Sequence, residues 1–126
     1  MILVDTSIWI DLLCGRGGRK VSDDDLLFFA TCGPIVQEVT QGLKHSNEAD
    51  GFYRHFSAVP VLSDPVPLSL FYEASDIYRS GRRKGYTIRS STDCLIAAIA
   101  IANRVPVWHR DRDFAAIARF TRLETV

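Results

Sequence analysis

The sequence predicts an α/β fold, a three-layer α/β/α sandwich around a mostly parallel central sheet, and three observations carry that expectation. Met1 to Val4 is an unbroken aliphatic run ending on Asp5, the pattern of a strand covered on both faces. Short apolar runs then alternate along the chain with segments of helical periodicity. A length of 126 residues with 47% apolar content suits one domain, residues 1–126, around one buried core.

Taken in order, Ser7 is placed to cap a turn of helix reaching Leu13. Cys14 to Asp25 is glycine-rich, then basic, then acidic, and reads as an exposed loop or a short mobile helix. Leu26 to Thr31 has strand character. Gly33-Pro34 opens a helix to about Leu43, with Pro34 at the first helical position, where its missing N–H loses nothing. Ser46 to Ser57 is an amphipathic helix with Phe52 and Phe56 on one face, and Val59 to Leu62 is a short strand.

Ser63-Asp64-Pro65 and Pro67 start the next helix, whose stripe of Leu70, Phe71, Ala74, Ile77 and Tyr78 continues to Gly81 or Gly85. Ser91 to Asn103 is apolar after its first turn and should be buried all round, with Ser91 as cap. Val105 to Trp108 is a strand in which Pro106 is tolerable only near the beginning or at an edge. A helix from about Asp113 to Arg119 and a short strand near Leu123 complete the chain.

Composition narrows the function classes. Formal net charge is zero, so no overall basic field advertises a nucleic-acid partner, and any such affinity must be local. Cys14, Cys32 and Cys94 are odd in number and lack CxxC spacing, which fits neither a disulfide framework nor a zinc site. The apolar start lacks a basic leader region and is broken by Asp5 and Asp11, and no later run has membrane-spanning length. A cytoplasmic protein with no membrane partner is expected.

The chemistry lies in the acids. In an open parallel sheet, ligands bind outside the carboxyl ends of the strands. Asp5 ends the first strand, and Asp111 and Asp113 follow the strand Val105 to Trp108, so both sets face that rim. Asp93 falls in a helix first turn, where the positive end of the helix favours a carboxylate, and Glu38 sits beside Ile35 and Val39 on an inward stripe.

Gathered carboxylates repel one another, and a hard divalent cation with oxygen ligands, Mg²⁺ or Mn²⁺, resolves the repulsion. Such a site can orient and activate water for attack on a phosphodiester. Each acid alone is equally compatible with a structural role: Asp5 as a turn former, Asp93 as a cap, Asp111 and Asp113 as helix starters. Their conjunction favours the metal, and an inward-pointing Glu38 needs a partner.

Four segments, Met1-Ile2-Leu3-Val4-Asp5-Thr6-Ser7, Pro34-Ile35-Val36-Gln37-Glu38-Val39, Asp93-Cys94-Leu95-Ile96-Ala97-Ala98 and Val107-Trp108-His109-Arg110-Asp111-Arg112-Asp113-Phe114, together resemble the successive motifs of PIN-domain ribonucleases. The chain is most similar to the VapC toxins of bacterial toxin–antitoxin pairs. That resemblance covers essentially the whole chain. It implies a metal site of Asp5, Glu38, Asp93 and Asp111 that also carries the catalysis, with Asp113 sometimes contributing. It further implies a homodimer, a cognate antitoxin that lays a segment with a basic side chain across the acids, and structured RNA such as tRNA or rRNA as substrate. Two positions depart from the family pattern: Cys14 to Asp25 is short, and His109 stands where Thr is usual.

Arg79, Arg82, Arg83, Lys84 and Arg89 form a basic cluster, with no acid from Arg79 through Thr92. Arg82, Arg83, Lys84 and Arg89 are the candidate RNA contacts; the competing reading is a solvated helix end. His45, His55 and His109 lack metal-ligand spacing. Phe52, Phe56, Phe71 and Tyr72 are expected on an exposed side that a partner covers. Two other readings stay open, a housekeeping RNA-processing PIN nuclease and a non-catalytic PIN-like module that binds RNA or protein. A phosphatase using Asp5 as nucleophile is disfavoured, because Asp5-Thr6-Ser7 has no second aspartate two positions on.

Overall fold

The computed structural model describes residues 1–13, 21–43 and 47–126, without the side chains of residues 47–49 and 52. Four strands, β1 (Ile2–Val4), β2 (Phe29–Cys32), β3 (Val61–Leu62) and β4 (Val107–Trp108), run parallel in the order β3-β2-β1-β4. Around them stand α1 (Thr6–Leu13), α2 (Asp23–Leu26), α3 (Gly33–Gln41), α4 (Asn47–Ala58), α5 (Leu68–Arg83), α6 (Ser91–Asn103) and α7 (Arg112–Phe120). Every residue of β2 is buried, so helices cover both faces of the sheet and the expected three layers are present.

Register and strand order locate the site. Leu3 pairs with Ala30 on one side and Val107 on the other, while Val4 faces Trp108. The chain moves outward from β1 through β2 to β3, and β4 then returns to the opposite flank of β1. The order therefore reverses between β1 and β4, and the crevice outside their carboxyl ends is where such sheets bind ligands.

Leu3, Val4, Trp9, Ile35, Ile96, Phe114 and Ile117 form the solvent-free centre of the core. The Trp9 ring stands edge-on to Phe29 at 5.7 Å and packs on Phe56 at 4.8 Å. Helices α5 and α6 pack along each other, and α7 closes against both. At Gly81 a Cβ would lie 2.9 Å from Cζ of Phe120, so a hydrogen there lets α5 lie close to that ring.

The structure corrects several sequence expectations. Strand β2 begins at Phe29 rather than Leu26, because Ser22 and Asp25 form a capping box that draws Leu26 into α2. Helix α1 starts at Thr6, and the Ser7 hydroxyl bonds Asp5 instead of capping. Helix α3 spans Gly33–Gln41, so Gly33 precedes Pro34 within it and it stops short of Leu43.

Helix α5 begins at Leu68 with Pro67 as its cap residue, passes Gly81 and ends at Arg83, before Gly85 at φ 86°. The cap of α6 is Ser90, not Ser91. Asp111 caps α7, which starts at Arg112. Strand β4 is confined to Val107–Trp108, since Pro106 has no N–H for the ladder and offers only its carbonyl, to Leu3. Near the C-terminus a single bridge, Val107 to Thr125, stands in place of a strand at Leu123. Phe56 is buried against Trp9 rather than exposed, whereas the Phe52 side chain and residues 14–20 lie outside the described residues.

Candidate metal centre

The end of β1 sets the first acid. The Asp5 N–H donates to the Trp108 carbonyl at 3.0 Å, extending the β1–β4 ladder, while its own carbonyl accepts from Trp9 N–H and begins α1. Its side chain is thereby held at the strand reversal, buried, with the Ser7 hydroxyl donating to Oδ2 at 3.1 Å. Glu38 comes from the middle of α3, partly buried, and its Oε1 accepts from the Thr6 hydroxyl at 3.4 Å.

Helix starts place the other three. Asp93 lies in the first turn of α6, its N–H donating to Ser90 Oγ at 3.3 Å, and its buried Oδ2 has no hydrogen-bond partner. Asp111 Oδ1 accepts from Asp113 N–H at 2.9 Å, and Asp111 N–H donates to His109 Nδ1 at 3.1 Å. Asp113, also buried, accepts from the N–H groups of Arg89 and Ser90, both at 3.1 Å, through Oδ2. Carboxylate oxygens of Asp93, Asp111 and Asp113 lie within 4.8 Å of one another.

These groups share one field. Burial, then the charges of Asp111, Asp5, Asp113 and Glu38, push Asp93 up to about 8. Asp5 is raised by burial, with Asp111 adding to the effect and hydrogen bonds from Thr6 and Ser7 opposing it. Glu38 is raised by burial and by Asp5 and Asp111. His109 is lowered because burial outweighs the pull of Asp5 and Asp111. Burial also pushes the Cys32 and Cys94 thiols up, to about 12 and about 11, leaving them as inert packing groups.

The donor set fits a hard divalent cation. Among the described residues no cation pairs with these five carboxylates; the nearby Arg110 is paired with Asp11 instead. Asp93, grouped with Asp111 and Asp113, has a buried oxygen that lacks the partner such an oxygen requires. Oxygen-only donors suit Mg²⁺ or Mn²⁺ rather than a soft metal.

The fold brings together all five acids singled out in the sequence. The cations are more dispersed: Arg82, Arg83 and Lys84 are exposed at the end of α5, with Arg82 donating to the Tyr78 hydroxyl and Lys84 lying over the Phe120 ring. Arg89 reaches the site through its backbone, by way of Asp113. Sequence reasoning missed Thr6, Ser7 and Ser90 as groups that hold the acids. The signal for the first pair was two hydroxyl residues directly after a strand-end aspartate.

The PIN domain family matches residues 2–120. The chain is 37% identical over 130 residues to ribonuclease VapC11 of Mycobacterium tuberculosis, covering 98% of this chain and 96% of that protein. The same identity and coverage hold for VapC ribonuclease Mb1587 of Mycobacterium bovis. Among solved structures it is similar to a toxin–antitoxin complex from Klebsiella pneumoniae, with a TM-score of 0.72 at 22% identity over 98% of this chain and 99% of that one. With its parallel sheet and five acids at the strand reversal, the chain belongs to the VapC ribonucleases of the PIN-domain family.

Proposed function

We propose that this chain, one PIN-like domain over residues 1–126, is a Mg²⁺- or Mn²⁺-dependent endoribonuclease and the toxin of a toxin–antitoxin pair in the cytoplasm. The observation that carries the reading is the buried, unpartnered Asp93 oxygen inside a group of mutually repelling carboxylates. Asp5, Glu38, Asp93 and Asp111 would hold the cation. When bound, it supplies charge neutralisation, an activated water and stabilisation of the leaving oxygen of the phosphodiester.

The chain's own residues do the rest. Ser7 and Thr6 orient the carboxylates of Asp5 and Glu38 through their hydroxyl hydrogens. Asp111 is exposed and open to substrate, whereas Asp5 and Asp93 are buried and screened from water. Incubation of a tRNA and rRNA pool with Mg²⁺, Mn²⁺ or chelator tests the reading: discrete cleavage products that vanish with chelator are expected, and intact RNA under all conditions would reject it.

Arg82, Arg83, Lys84 and Arg89 are the proposed phosphate contacts. Replacing Arg82, Arg83 and Lys84 together by Ala should weaken RNA binding and lower the slope of log affinity against log salt by about 2–3, roughly 0.7–0.9 per lost phosphate contact, while cleavage at saturating RNA survives. Filter binding across a salt series checks this, and a slope equal to the parent's would leave the cluster as a solvated helix end.

The proposed partners are a cognate antitoxin and a second copy of the chain. Supporting the latter, Leu68, Phe71 and Tyr72 are exposed along α5, beside a groove of about 440 Å³ that Phe71, Tyr78 and Leu95 help to line. Sedimentation at micromolar concentration is expected to give a dimer, and a homogeneous monomer would count against it.

A further inference from the structure

A run of hydrogen bonds from backbone amides links the last acidic pair to the helix that carries Asp93. His109 Nδ1 accepts from Asp111 N–H at 3.1 Å, and Asp111 Oδ1 accepts from Asp113 N–H at 2.9 Å. Asp113 Oδ2 then accepts from both Arg89 and Ser90 N–H at 3.1 Å, and Ser90 Oγ accepts from Asp93 N–H at 3.3 Å. The starts of α7 and α6 are therefore registered to each other through one carboxylate oxygen.

From this geometry we infer that Asp113 is a positioning residue, a clamp on the connection between α5 and α6 that holds Asp93 and Arg89 in a fixed relation to Asp111. Two buried aspartates stand side by side here with opposite hydrogen bonding. Asp93 Oδ2 has no partner, as an oxygen reserved for a ligand would not. Asp113 Oδ2 has two amide donors, which engage its lone pairs and offset the desolvation of its charge.

Proximity does not separate the roles, since oxygens of both residues fall within the same 4.8 Å group. Hydrogen bonding separates their Oδ2 atoms, one unpartnered and the other bonded twice. The donors come from 24 and 23 residues away in sequence, so the contact serves tertiary registry rather than a local turn. Arg89 is held by its amide, which leaves its exposed guanidinium free to face solvent-borne phosphate. That last consequence rests on the nuclease reading; the clamp does not.

Amide exchange in the metal-free full chain and Mn²⁺ titration by spin resonance test the clamp. Asp113→Ala should speed exchange at Arg89 and Ser90 by at least about tenfold, with Asp113→Asn, which keeps a carbonyl oxygen acceptor, lying nearer the parent. Both variants lose a charge, but the Ala variant should bind Mn²⁺ about tenfold or more weaker than the Asn variant, in the range seen for lost outer-shell supports. If Asp113→Ala fails to fold, Asp113→Leu, bulkier but of the same branched shape and with no acceptor, takes its place.

Parent-like exchange at Arg89 and Ser90 in the acceptor-free variant, with equal Mn²⁺ affinity in the Asn and acceptor-free variants, would overturn the clamp. With RNA, the acceptor-free variant should also raise KM more than the Asn variant does. Should the parent cut no RNA, the nuclease reading falls while the exchange and Mn²⁺ results still decide the role of Asp113.

Discussion

Asp93→Asn and Asp5→Asn, each nearly isosteric with the parent residue, are expected to lower the RNA-cleavage rate by about three orders of magnitude or more, the equivalent of several kcal/mol of transition-state charge stabilisation. Each removes a charge that the rest of the cluster cannot replace, because Asp5 is fixed by the β1–β4 ladder and Asp93 by the Ser90 cap. Binding should survive in both, since loss of a negative charge does not repel phosphate. Single-turnover cleavage alongside RNA binding separates the two effects. Parent-like cleavage by either variant would remove these residues from the catalytic machinery.

Metal-free stability should fall as pH rises, opposite to the usual effect of a paired carboxylate. Folded Asp93 keeps its proton to about 8, while the unfolded chain releases it near the ordinary value of 3.8, so between those values the folded state binds more protons. The penalty is absent below the lower value, grows through the window and is complete above the upper one. Asp5 and Glu38, also raised, act in the same direction.

Asp93→Asn removes the part of that penalty due to Asp93. Its metal-free Tm should exceed the parent's by about 5 °C or more at pH 8.5, and the two should converge near pH 4. Adding Mg²⁺ should raise the parent's Tm and narrow the gap, because a cation that binds only the folded state stabilises it. A Tm that does not change with pH in the parent, or a variant less stable at pH 8.5, would show that Asp93 is not held in an unfavourable charged state. Both outcomes are visible in a thermal melt series with chelator present.

Much of this architecture is local information. Met1 to Val4 and the long apolar stretch after Asp93 state their burial in consecutive residues, so the first strand and α6 were legible from the length and apolarity of their runs. The candidate acids were legible for a related reason: each ends a strand or starts a helix, apart from Glu38, whose place beside Ile35 and Val39 gave its direction. Element limits were less so. Leu26 reads as strand by composition, but the Ser22–Asp25 capping box claims it for a helix, and two local preferences in conflict are settled by what the rest of the chain packs against.

Tertiary structure alone decided what surrounds each side chain. Phe56 belongs to the core only because Trp9, far away in sequence, meets its ring. Asp93 and Asp113 look alike in sequence, each an aspartate in a helix first turn. One keeps an unsatisfied oxygen and the other is bonded twice, because the amides of Arg89 and Ser90 reach Asp113 only after α5, α6 and α7 have packed. By itself the sequence determined which residues could carry charge to the strand reversal. Hydrogen-bond saturation and desolvation depend on neighbours distant in the chain, so only the packed fold could decide which of those charges remain available to a cation.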